Sequence, residues 1–95
     1  MEEIARQPYY KIVRQLSSIK QEDIKEMREI TLYTDRVTTR HREFSLDEVL
    51  DMSYRNFGKK GGLLYLHTLR GVFSYHVDES PEEFIRIFKQ HIECN

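Results

Sequence analysis

The sequence predicts a single α+β domain: a bent antiparallel sheet of about five strands, preceded by a helical N-terminal segment and covered by a C-terminal helix. Three observations carry that reading. Between Ile30 and Val77, runs of Thr, Val, Tyr, Phe and Leu alternate with turn residues at the spacing of short strands. Ser80-Pro81-Glu82-Glu83 is a helix start, followed by an amphipathic run. From Tyr9 to Ile19 the apolar residues fall three and four apart. Ninety-five residues suffice for one modest core, so the chain reads as one domain, 1–95, with residues 1–28 helical, 29–78 in strands and 80–94 in the last helix.

Tyr9, Ile12, Val13, Leu16 and Ile19 would line one side of a helix, with Pro8 in its first turn where a missing N–H costs nothing. The alternative is a strand through Tyr9-Tyr10-Lys11-Ile12-Val13, with Tyr10 and Ile12 facing one way. Ile24 and Met27, three apart, extend the helical reading. After Arg28 the period becomes two: Ile30 and Leu32, then Phe44 and Leu46, mark two strands that turn near Thr34-Asp35. Leu50, Met52 and Tyr54 share one face of a third strand, and Gly58-Lys59-Lys60-Gly61-Gly62 is a turn to the next.

The run Gly61 to Val77 reads as a hairpin about Thr68-Leu69-Arg70-Gly71, with Gly71 in the left-handed position of a three-residue turn. Pairing Thr68 with Val72 would place Leu63, Tyr65, His67, Phe73, Tyr75 and Val77 on the core side, with Ser74, His76 and Asp78 opposite. In the last helix Ser80 is the N-cap, Pro81 the first helical residue and Glu83 the acid that reaches back. Phe84, Ile85, Phe88 and Ile92 form its apolar stripe.

Composition excludes several function classes. Fifteen Lys and Arg against sixteen Asp and Glu give a net charge of −1, so no overall field draws the chain to nucleic acid or acidic lipid. Cys94, the only cysteine, forms no internal disulfide and supports no zinc cage, which fits a reducing compartment. No apolar stretch has the length of a signal peptide core or a membrane span, and the chain is read as cytoplasmic. No nucleophile elbow, phosphate loop, dinucleotide fingerprint or HExxH pattern occurs, and the lysine of GKKGG is not followed by Ser or Thr.

His41, His67, His76 and His91 read as structural or solvated, since His67 and His76 fall on opposite faces of the predicted hairpin. The acidic pairs Glu22-Asp23, Asp47/Asp51 and Glu82-Glu83 read as solvated charges and helix starts rather than catalytic dyads. No catalytic residue, metal or cofactor is therefore expected. The candidate binding residues are Arg36, Arg40 and Arg42, which alternate with Thr38 along one predicted strand face, extended by Arg55, Lys59 and Lys60.

The stretch ITLYTDRVTTRHREFSLDEVLDMSYR, followed by a strand hairpin and the SPEEFIRIFKQHI helix, resembles bacterial pleckstrin-homology-like domains over residues 29 to 92. In place of that family's first strands, residues 9 to 27 read as helical. The resemblance implies a bent antiparallel sheet closed at one end by the last helix, serving as a scaffold for protein or lipid ligands. A weaker similarity, of SLDEVLDMSYR and LLYLHTLRGVFSYHV, is to LytTR-type DNA-binding domains. The expected function is a non-catalytic interaction module that binds a protein partner, with an anionic membrane surface second and DNA binding through the basic strand as the alternative. A sheet with missing strands would leave an open edge for a homodimer.

Overall fold

The computed structural model describes residues 3–16, 21–58 and 61–93. Seven antiparallel strands form one sheet, in the order β4-β3-β2-β1-β7-β6-β5, and a single helix follows. The strands are β1 (Glu3–Leu16), β2 (Gln21–Tyr33), β3 (Arg36–Thr38), β4 (Glu43–Ser45), β5 (Val49–Asn56), β6 (Gly62–Thr68) and β7 (Gly71–Val77); helix α1 is Glu82–Glu93.

This corrects the expectation of about five strands after a helical N-terminal segment. Residues predicted to be helical form β1 and most of β2, a long hairpin whose register runs from Glu3↔Tyr33 to Leu16↔Gln21. The helical reading required Tyr9, Ile12 and Val13 to be buried together. In the hairpin, Ala5, Gln7 and Tyr9 point inward opposite Leu32, Ile30 and Arg28, and neighbouring residues such as Ile12 and Val13 point to opposite faces. Aromatic and β-branched residues lose rotamer freedom in a helix and pack well on a pleated surface. The cross-strand partners match in kind, Lys11 with Glu26 and Val13 with Ile24, pairs too far apart in sequence to be neighbours on one helix.

The sheet folds over on itself. Phe44 of β4 and Phe73 of β7 meet with ring centroids 5.2 Å apart, although three strands separate them in the sheet order. Between the two halves lies one core: Tyr9, Ile30, Leu32, Val37 and Phe44 from one side, Val49, Met52, Leu64, Leu66 and Val77 from the other, and Phe84 and Phe88 from the helix. The corner is fixed by a 3-10 turn, Leu46–Glu48, whose Leu46 N–H donates to the Asp35 carbonyl and whose Glu48 carbonyl accepts from Leu69 N–H. Arg70 locks the same corner, pairing with the Glu48 carboxylate at 2.9 Å and donating to the Glu43 carbonyl at 2.7 Å.

Two strand faces differ from expectation. The β6–β7 register is Thr68↔Gly71 and His67↔Val72, one residue away from the predicted pairing of Thr68 with Val72. That slip leaves β7 as read, with Phe73, Tyr75 and Val77 inward, but turns β6 over, so Leu64, Leu66 and Thr68 are buried in place of Leu63, Tyr65 and His67. The reason is the turn: Leu69 and Arg70 are its two loop residues, and Thr68 Oγ1 both donates to the Gly71 carbonyl and accepts from Arg70 N–H. On β5 a register shift between Val49 and Asp51 puts Leu50 outside, away from Met52.

Ser80 Oγ accepts from Glu82 N–H at 3.3 Å, and Pro81 is fully buried beneath the first turn of α1. Phe84 and Phe88 enter the core while Ile85 and Ile87, rather than Ile92, flank them. At the β5–β6 turn Gly61 has φ +84° and a side chain there would strike the Val77 carbonyl, so only glycine fits. No described helix is long and apolar enough to cross a membrane.

Replacing Phe88 with Ala is expected to cost about 3–5 kcal/mol in urea denaturation, the range for truncating a buried aromatic. The register makes a sharper forecast: Leu64→Lys should abolish cooperative unfolding, whereas Leu63→Lys, on the outer face, should leave a folded protein by circular dichroism.

Candidate functional site

The strand face on which the site expectation rested is not formed. β3 ends at Thr38, and residues 39–42 make the turn into β4, with the Thr39 N–H donating to the Arg42 carbonyl at 2.8 Å. Arg36 lies on β3 but its guanidinium donates to Glu43 at 2.6 Å and to Asp35 at 3.3 Å, and it lies over the Tyr33 ring. Its charge is matched where it stands. Arg55, on the far edge strand β5, covers the Phe57 ring at 5.6 Å. Lys59 and Lys60 lie outside the described residues. Arg40 and Arg42 sit in the 39–42 turn, of which Thr39, His41 and Arg42 line a cavity.

That cavity is a cleft of about 410 Å³ lined by residues of β1, β2, β7 and the 39–42 turn. It exists because β1 and β7 part company. Their one described bridge is Tyr10↔His76. Beyond it, residues 11–16 and 21–26 of the hairpin pair with one another and with no other described strand, so the arm projects from the body. The molecule is accordingly elongated, 54 Å in its longest dimension against 28 and 24 Å. The wedge between the departing arm and β7 is the cleft.

Its floor is aromatic. Tyr9 and Tyr75 meet edge to face at 5.0 Å, and the Tyr9 hydroxyl accepts the Arg40 backbone N–H at 3.3 Å. Burial pushes the Tyr75 hydroxyl above its ordinary pKa, with Thr39 and Arg42 opposing that shift more weakly. Arg42 is braced over the Phe73 ring at 4.5 Å. Tyr10 stacks on His76, and the Lys25 ammonium lies over the Tyr10 ring at 4.2 Å while pairing with Asp78.

The charged lining is one-signed. Lys11, Arg28 and Arg42 line the cleft together with His41 and His76, and no Asp or Glu is among its lining residues. Beside it, the Glu26 carboxylate accepts from Arg28 Nε at 3.0 Å; that bond holds Glu26 below its ordinary pKa and Arg28 above its own. Arg28 is thus oriented with its charge half matched, and among the described residues no ion pair joins Lys11, His41 or Arg42 to a carboxylate. Ile12 extends an apolar lip beside them, 48% exposed.

His67 and Ser53 share a hydrogen bond of 2.8 Å on the outer face, where Asp51 is the cross-strand neighbour of His67. The register places His67 and His76 on the same outer face, contrary to expectation, but four residues apart along β7. Among the described residues no group of three or more His, Cys, Asp or Glu is placed to hold a metal ion.

Sequence reasoning named Arg40 and Arg42 and missed Lys11, Arg28, Tyr9, Tyr75 and His76. The missing signal was strand pairing: once β1 and β2 are a hairpin, Tyr9 faces Arg28 and Lys11 faces Glu26.

Because the Tyr75 hydroxyl is raised, its neutral form is favoured by folding. Stability from this group is full below pH 10 and is lost as pH rises through the folded-state value. Ultraviolet titration should show one tyrosine ionising later than the others, and Tyr75→Phe should remove that late step. The chain matches no protein-family model and no curated protein to which it could be assigned.

Proposed function

We infer that this protein is a non-catalytic interaction module, and that its ligand is an extended acidic segment of another protein lying in the wedge between β1 and β7. The observation that carries this reading is the one-signed lining of that wedge: Lys11, Arg28, His41, Arg42 and His76 with no carboxylate among the lining residues, on a chain whose net charge is −1. Positive groups concentrated on an otherwise balanced surface select an acidic ligand and speed its arrival.

The form of the ligand follows from the strands. Past Tyr10↔His76, β1 and β7 present backbone edges to the wedge with no described strand between them. An extended segment could add its own backbone to either edge, with side chains alternating between the Tyr9–Tyr75 floor and solvent. The exposed Ile12 would meet an apolar residue of the ligand, and Arg42, braced on Phe73, would meet a carboxylate.

The resemblance to pleckstrin-homology-like domains fits the same role of a scaffold without catalysis. Its support is that β1 and β2 occupy the place in chain order of that family's first strands, and that the helix follows the last strand. The alternative of DNA binding through a basic strand loses its premise, since Arg36 is engaged with Asp35 and Glu43, and Arg40 and Arg42 are not on a strand.

An array of unstructured peptides of graded charge should give binding for acidic sequences with an apolar residue, detected by fluorescence anisotropy. Lys11→Glu/Arg42→Glu should weaken it about tenfold or more, and binding should fall with added salt. Equal binding of neutral peptides, no effect of the double substitution, or preference for duplex DNA or anionic vesicles would refute the reading.

A further inference from the structure

We propose that the protein forms a two-fold symmetric dimer in which the free edge of β2 pairs antiparallel with the same edge of a second copy, centred on Met27. Strand β2 has β1 on one side along its whole length. On its other side β3 pairs only at Thr31↔Thr38 and Leu32↔Val37. Residues 24–30 therefore present an open edge among the described strands. An open edge of this length is a template for another strand, and proteins that remain monomeric blunt such edges with bulges, prolines or charged side chains, so the four charges here favour pairing only in a register that matches them by sign. This edge has no described bulge and no proline.

Its sequence is Ile24-Lys25-Glu26-Met27-Arg28-Glu29-Ile30. A two-fold axis normal to the sheet preserves faces, so a residue pairs with one at an even separation along the strand, and an axis through Met27 meets that condition. The pairs it creates are Met27 with itself, Glu26 with Arg28, Lys25 with Glu29, and Ile24 with Ile30. Each polar pair joins opposite charges and each apolar pair joins like with like, on both faces at once. Shifting the axis one residue to either side destroys this: an axis at Glu26 opposes two like carboxylates, and an axis at Arg28 opposes two guanidiniums. The strand is charge-complementary to itself in one register.

Met27 at the centre is 55% exposed and Ile24 at one end is 41% exposed, large apolar side chains standing in water on an edge, while Ile30 at the other end is buried in its own core and would offer Ile24 only its edge backbone. A groove of about 470 Å³ follows the same edge, lined by Pro8, Met27, Arg28, Glu29 and Arg40. Of the charges, Glu29 meets Arg6 only at 3.6 Å, and the Glu26–Arg28 bond within one copy becomes half of an alternating four-charge cluster across the axis, whereas Lys25 must exchange or share its present partner Asp78 to reach Glu29 of the second copy. Pairing stops at Ile30 because β3 occupies the edge from Thr31 onward, so the contact is seven residues long and the dimer concentration-dependent.

Two engineered chains test the register. Glu26→Lys/Glu29→Lys makes the edge wholly basic, and Lys25→Glu/Arg28→Glu makes it wholly acidic. Each alone should be monomeric by sedimentation equilibrium at concentrations where the unaltered chain dimerises, and an equimolar mixture should recover a species of twice the chain mass. Circular dichroism melts confirm that each variant is folded. Independently, in a Cys94→Ser background, Met27→Cys should form an intermolecular disulfide on mild oxidation, since directly opposed strand residues stand about 4.5–5.5 Å apart. Glu29→Cys, about 13 Å from its symmetry mate, should not. A monomeric mixture of the two charge variants, absence of the Met27→Cys cross-link, or equal cross-linking at both positions would overturn the proposal.

Discussion

The two halves of this sheet are joined through one strand pair, β1 with β7, and the rest of the molecule depends on how briefly those strands meet. A flat sheet of seven strands could bury neither face with a single 12-residue helix. By bending about β1, the sheet brings Phe44 onto Phe73 and lets its own inner faces serve as each other's cover. The helix then has only one end to close, which Phe84 and Phe88 do by entering between strands rather than lying across them. The same bend forces β1 away from β7 after Tyr10, so the core and the cleft have one geometric cause.

Much of this was legible in the sequence, and the failures have physical reasons. The C-terminal helix was readable because Ser80, Pro81 and the acids of the first turn are local signals that act within one turn of chain. The strands from Ile30 to Val77 were readable because β-branched and aromatic residues alternate there. The hairpin β1–β2 was not, since its distal half has no core to face. Where both faces are exposed, alternation loses its meaning, and Ile12 beside Val13 imitates a helical stripe. The β6 face was misread by a single residue: both registers of the Thr68–Gly71 turn satisfy the pattern, and the Thr68 hydroxyl, by bonding Gly71 and Arg70, selects the tighter one.

Of the candidate site, alternation suggested a strand through Arg36, Arg40 and Arg42, but the chain leaves the sheet after Thr38. The turn that results carries Arg42 inward onto Phe73 and the Arg40 backbone onto the Tyr9 hydroxyl. Arginines that looked like an exposed row are therefore divided between the corner at Arg36 and the wall of the cleft. What the sequence could not disclose is which of its cations are balanced, because the balancing groups are tertiary: Glu43 for Arg36, Glu48 for Arg70, Asp78 for Lys25.

The arm connects these findings. A two-stranded ribbon without a third strand is marginal in water, and here it carries Ile12, Val13, Ile24 and Met27 at the surface. Cross-strand pairs such as Lys11 with Glu26 hold its register but bury little apolar area. A ribbon has two edges, and this one differs on each. The β1 edge, running past Tyr10 into a cationic wedge, is matched to a ligand of opposite charge, whereas the β2 edge alternates its charges and is matched to itself. Addition of a strand on either side would convert the ribbon into a sheet and remove apolar surface from water, so occupancy of one edge would stiffen the other. Were strands added at both edges, the two additions would be coupled through the order of the hairpin rather than through the core.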